Sequence, residues 1–103
     1  LEYINSCLRY SQEQKLGDDS LAYFYDTRGQ IYTMRRQWRE AAADLEKAIA
    51  YGLNSNLQSH TSLLRCYQEL NKRDLADEEI RIIAKLREVQ EEQAKAAEAE
   101  KKK

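Results

Sequence analysis

The chain has 103 residues, of which 34% are charged, yet 17 basic and 18 acidic side chains cancel to a formal net charge of -1. That length allows one domain at most. Balanced charge argues against a general nucleic-acid or membrane-surface binder, which needs a one-sided basic field. No apolar run approaches the roughly 20 residues required to span a bilayer, and no secretory signal is visible. Because the chain starts at Leu1 already within a helical pattern, it is expected to be part of a longer protein. Cys7 and Cys66 are far apart, without a CxxC or Cys/His neighbourhood. They read as reduced thiols serving as small apolar residues, which favours a cytoplasmic setting. A disulfide would need an oxidising compartment and close approach of the two helices that carry them.

Proline is absent and there are three glycines, so little in the chain breaks a helix. The spacing predicts a first helix over 2–15, with Tyr3, Ile4, Leu8 and Ser11 on one side. Gly17 reads as its stop, and Asp18-Asp19-Ser20 as the N-cap of a second helix over 20–35. Inside that helix Gly29 costs about 1 kcal/mol relative to Ala. The cost makes sense if another helix passes close by. A break at Arg35-Arg36-Gln37 precedes Trp38 and a third helix over 38–51, whose small face carries Ala41, Leu45 and Ala48. Gly52 is read as the next stop and Asn54-Ser55 as the next cap, giving a fourth helix over 55–70. After a break at Asn71-Lys72-Arg73-Asp74, the fifth runs over about 73–100, with the apolar stripe Ile80, Ile83, Leu86 and Val89. From Glu91 to Lys103 the only apolar residues are Ala94, Ala96, Ala97 and Ala99. That segment has high helix propensity and nothing to bury. Glu91–Lys95 and Glu98–Lys102 add only a few tenths of a kcal/mol each, so a charged, solvating cap that frays at its end is expected.

The pattern Gly29, Tyr32, Ala41, Leu45, Ala48 recurs 35 residues later as Leu64, Tyr67, Ala76, Ile80, Ile83. A period near 34 residues with helical spacing inside each unit marks stacked helix hairpins. With Tyr25 before it and Trp38 opening the second helix, residues 22–55 resemble a tetratricopeptide repeat. The second copy, about 57–90, departs from that family's pattern at Leu64 (usually Gly) and Ile83 (usually Ala), and Leu53 stands where a Pro often ends the repeat. The resemblance implies an all-α fold of antiparallel helix hairpins stacked as a right-handed α-solenoid, with about two and a half repeats. Residues 1–16 would be the second helix of a preceding repeat, 20–53 a full repeat, 55–90 a degenerate one and 91–103 the charged extension. The link into Tyr25 is about three residues longer than the family's usual spacing. The extension marks the C-terminal end of the array.

Nothing in the sequence points to catalysis, a cofactor or a metal. His60, the one histidine, has no Ser or Cys nucleophile near it in any recognisable spacing and reads as a polar or partly packed helix residue. Asp18-Asp19 lacks the alternating oxygen ligands and terminal Glu of a calcium loop and suits a helix N-terminus. Three scattered glycines cannot build a phosphate loop. In the cluster Tyr23-Phe24-Tyr25, Tyr25 takes the buried family position, and Phe24 is expected to pack toward the preceding helix. Carried over residue by residue, the resemblance implies a concave groove lined by Tyr23, Asp26, Thr27, Gln30 and Thr33, and by Gln58, Thr61, Ser62, Arg65 and Gln68. Asp26 and Gln30 stand where some relatives place the Lys and Asn that clamp a C-terminal carboxylate, so a receptor of that type is not expected. The expected function is a non-catalytic module binding a peptide or protein segment. The alternative is an assembly segment that self-associates through its exposed end helices, with neither nucleic acid nor membrane as partner.

Overall fold

The computed structural model describes residues 1–101. Within them five α-helices pack against one another: α1 (Glu2–Glu13), α2 (Asp18–Met34), α3 (Trp38–Ala48), α4 (Leu57–Glu69) and α5 (Arg73–Lys101). A π-helical turn over Ile49–Leu53 extends α3. Consecutive helices touch, and α2 also touches α4. In the α2–α3 pair, Gly29 lies against Leu45, Arg28 bonds Asp44 and Tyr25 stacks on Tyr51. From Gly29–Leu45 to Tyr25–Tyr51, moving back along α2 matches moving forward along α3 and its π-helical extension, so the pair is an antiparallel hairpin.

Three reversals share one hydrogen-bond scheme. At the end of α2 the Gln37 N–H donates to the Tyr32 carbonyl and the Arg36 N–H to that of Thr33. The same pair of bonds closes α1 (Leu16 to Ser11, Lys15 to Gln12) and α4 (Lys72 to Tyr67, Asn71 to Gln68). This Schellman arrangement requires a left-handed residue, normally Gly, at its centre. Here Lys15, Arg36 and Asn71 fill that place, at φ 52°, 61° and 59°.

Two expected boundaries therefore move. Gly17 is not the stop of α1; Lys15 is, and Gly17 lies in extended backbone one residue before α2. Asp18 and Asp19 fall inside the first turn of α2 without a side-chain cap bond. Their carboxylates act on the helix end through charge alone. The cap of α4 is Asn56 rather than Asn54 or Ser55: its Oδ1 accepts from the Ser59 N–H at 2.9 Å. Gly52, expected as a stop, lies inside the π-helical turn and breaks its helical backbone at φ 140°, a conformation that side chains strain to adopt, one residue before the turn ends at Leu53.

The core follows the small-residue pattern. Ala41, Leu45 and Ala48 are fully buried, and a Cβ placed on Gly29 would sit 2.8 Å from Leu45 Cγ and 3.4 Å from Asp44 Cβ. Gly29 is thus where α3 crosses α2. Leu45 packs in one cluster with Ala41, Ala42, Leu63, Cys66, Tyr67 and Ala76, edged by Tyr32, Trp38 and Leu64. A second cluster joins Leu8, Tyr25 and Ala48, with Phe24 and Tyr51 against it. Both thiols are free, and Cys66 is a core residue.

In the second copy of the pattern Tyr67, Ala76 and Ile83 are buried, but Ile80 is 48% exposed. Leu45 is covered by α4, whereas no helix among the described residues follows α5 to cover Ile80. Past Val89 every described residue is exposed, and α5 continues unbroken to Lys101. Residues 102 and 103, part of the expected charged extension, lie outside the described residues.

Candidate polar surface on α2 and α4

Charge at the α1–α2–α3 junction is fully engaged. Arg28 Nε and Nη2 donate to Asp44 at 2.6 and 2.8 Å, while Nη1 reaches Asn5 Oδ1 at 3.0 Å. One guanidinium thereby ties three helices, with the rings of Tyr25 and Tyr32 within 6 Å of it. The bond to Asp44 raises the Arg28 pKa, outweighing the opposing effect of burial. In the α4–α5 pair His60 does comparable work. Its Nδ1 lies 2.7 Å from Glu79 Oε2 and its Nε2 2.8 Å from the Asn54 carbonyl, with both side chains buried. His60 is therefore a buried strut between helices rather than a partly packed residue.

Tyr67 donates its hydroxyl to Glu46 at 2.7 Å, and burial, reinforced by that carboxylate, pushes its pKa up. Burial also pushes up the Cys66 thiol. Both side chains belong to the core that α4 forms with α3 and α5. Among the described residues no three His, Cys, Asp or Glu side chains come together as a metal site. No helix of the described residues is long and apolar enough to cross a membrane.

The ten residues expected to line a groove divide into two groups. On α2, Asp26 Oδ1 accepts from Ser59 Oγ at 2.7 Å and from Gln30 Nε2 at 3.3 Å. Gln30 Oε1 accepts from Ser62 Oγ at 2.7 Å. The Thr33 hydroxyl donates to the Gly29 carbonyl and lies 3.9 Å from Cys66 Sγ. Asp26, Gln30, Thr33 and Ser62 thus form a seam between α2 and α4, and their polar atoms hold the helices side by side.

The other group faces outward. Tyr23 is 64% exposed and meets Phe24 edge to face. Gln58, Thr61, Arg65 and Gln68 are exposed, while Thr27 is half-buried with its hydroxyl returned to the Tyr23 carbonyl. The Arg65 guanidinium lies over the Trp38 ring at 5.4 Å. Such a stack orients the cation without consuming its N–H donors. Thr61 borders a shallow depression with Leu64, Ile80 and Ile83, and Gln68 borders another with Tyr67, Ala76 and Ile80.

Position explains the division. Asp26, Gln30 and Thr33 stand 35 residues before Thr61, Arg65 and Gln68. The first three meet the first helix of the next hairpin, α4; among the described residues no further hairpin follows α5 to meet the second three. Sequence reasoning missed Ser59, Arg28, Asp44 and Glu79. A hint lay in Asp44, an acid set between Ala42 and Leu45 on the small face of α3. Comparison of the chain with family models, with curated proteins and with solved structures finds no match.

Proposed function

We propose that the chain is a tetratricopeptide-like segment whose hairpins stack in a right-handed solenoid, and that it acts as a non-catalytic module binding a peptide or protein segment. The observation that carries this reading is the Asp26–Ser59 and Gln30–Ser62 seam. It sets the first helices of both hairpins in one wall. Tyr23, Gln58, Arg65 and Gln68 then face solvent from that wall with hydrogen-bonding capacity to spare, and exposed Thr61 beside them returns its hydroxyl to the Leu57 carbonyl. Tyr23 offers an aromatic surface at one end, and Arg65, steadied by Trp38, offers a cation suited to a carboxylate.

Trp38 is the only tryptophan, so its fluorescence reports any ligand that lifts or shields Arg65. The test is a titration of the protein with an array of short, extended peptides containing acidic residues. A binding peptide should perturb Trp38 emission, and Arg65→Glu and Tyr23→Ala should each weaken it by about fivefold to tenfold. Affinity unchanged in both variants would remove this wall from the account.

A further inference from the structure

One helix of the molecule carries a second apolar stripe that its own hairpin leaves open. On α5, Ala76, Glu79 and Ile83 are buried against α4. Roughly a quarter turn around the helix, at 3.6 residues per turn, run Ile82, Leu86 and Val89, continued by Gln93 and Ala96. Their spacing is a heptad a/d seam. Val89 is 39% exposed, and Glu78, Arg81 and Lys85 frame a shallow depression over Ile82 and Leu86. Beyond Val89, residues 90–101 project roughly 18 Å as a helix with all residues exposed. That stretch continues the 29-residue α5 and packs against nothing among the described residues.

The charges along α5 indicate what that neighbour is. Next to the seam's midpoint, Arg81, Lys85 and Arg87 lie on one side and Glu88, Glu91 and Glu92 on the other; farther out the signs reverse, with Glu78 before and Lys95 after. A second copy laid parallel and in register would set basic stretch beside basic and acidic beside acidic. Laid antiparallel, each basic stretch meets an acidic one. The charged residues that flank the seam nearest its midpoint are Lys85 before it and Glu92 after it.

We propose that two copies of this chain pair antiparallel through α5. Leu86 of each then packs against the partner's Val89, and Lys85 lies opposite the partner's Glu92. The flanking charges choose the orientation, as at the e and g positions of coiled coils. With Ile82 meeting the partner's Gln93, the apolar centre is short, and the dimer is weak and concentration-dependent. This surface lies on a different helix from the α2–α4 wall, so peptide binding and pairing are separable.

Sedimentation velocity of the whole chain over a concentration series tests the proposal, with circular dichroism verifying that each variant is folded. The wild type should pass from monomer to dimer, and Val89→Asp, beyond the part packed on α4, should remain monomeric. Lys85→Glu and Glu92→Lys should each weaken association by about tenfold, because each creates two symmetric like-charge contacts. The double swap should restore it to within about threefold. A chain monomeric throughout overturns the proposal, as does a dimer indifferent to Val89→Asp or a double swap that fails to rescue. The Trp38 titration should be unaffected by any of these changes, so either idea can fail alone.

Discussion

In the α2–α3 hairpin the helices meet at Gly29, and Leu45 is sealed beneath α4; in the α4–α5 hairpin Leu64 occupies the corresponding place and Ile80 is half exposed. Close approach thus depends on a missing side chain, whereas sealing depends on the next helix. The buried polar pairs differ in the same instructive way. The acid keeps its place, Asp44 and Glu79 being 35 residues apart, but the base shifts by nearly one turn. Arg28 corresponds to Leu63, and His60 to Tyr25. Arginine keeps its charge under all ordinary conditions, so its pairing with Asp44 is obligatory. His60 meets Glu79 through one ring nitrogen and the Asn54 carbonyl through the other, so half of its bonding does not depend on the acid.

That difference sets the largest expected contrast. Asp44→Ala should cost about 2–4 kcal/mol by stranding the Arg28 guanidinium among three helices. Glu79→Ala should cost about 1–2 kcal/mol, since His60 keeps its bond to the Asn54 carbonyl. Urea unfolding of both variants decides it, and equal losses would erase the distinction between the two pairs.

Gly29→Leu should destabilise by about 1–3 kcal/mol, because Leu45 has no room to move. Leu64→Ala, at the looser crossing, should cost about 1 kcal/mol for its half-buried side chain. Thermal melts in which Gly29→Leu is neutral would show that α2 and α3 do not touch there.

The smallest effect concerns the two turns. Arg36→Gly should stabilise by about 0.5–1 kcal/mol through relief of a left-handed β-carbon. Asn71→Gly should gain only a few tenths of a kcal/mol, because Asn tolerates that conformation. Denaturant midpoints rank the pair, and the reverse order would mean that something besides backbone strain governs these turns.

The sequence was most legible where structure is decided locally or by a repeated spacing. Helix existence and the Gly29–Ala41–Leu45–Ala48 crossing could be read because each follows from side-chain size at a helical interval. Helix ends were misplaced where a Schellman bond pattern forced Lys15, not Gly17, into the left-handed region. Ile80 fits the spacing of Leu45, but burial also requires a covering helix, which no period encodes. Spacing named polar positions on α2 and α4 but not which of them bond to one another. Asp26, Gln30 and Thr33 find their neighbours on α4 more than thirty residues away. Which side chains would be consumed by that seam depended on Ser59 and Ser62 having hydroxyls at the right height.

The two thiols give the molecule a clock at each end of its accessibility range. Cys7, half-buried on α1, can be reached by a thiol reagent without the helices separating. Cys66 has no exposed surface, and burial holds its proton on. It is modified only when α4 swings away from α2 and α3. Its labelling rate, relative to that of Cys7, measures how often this small stack comes apart in its native state.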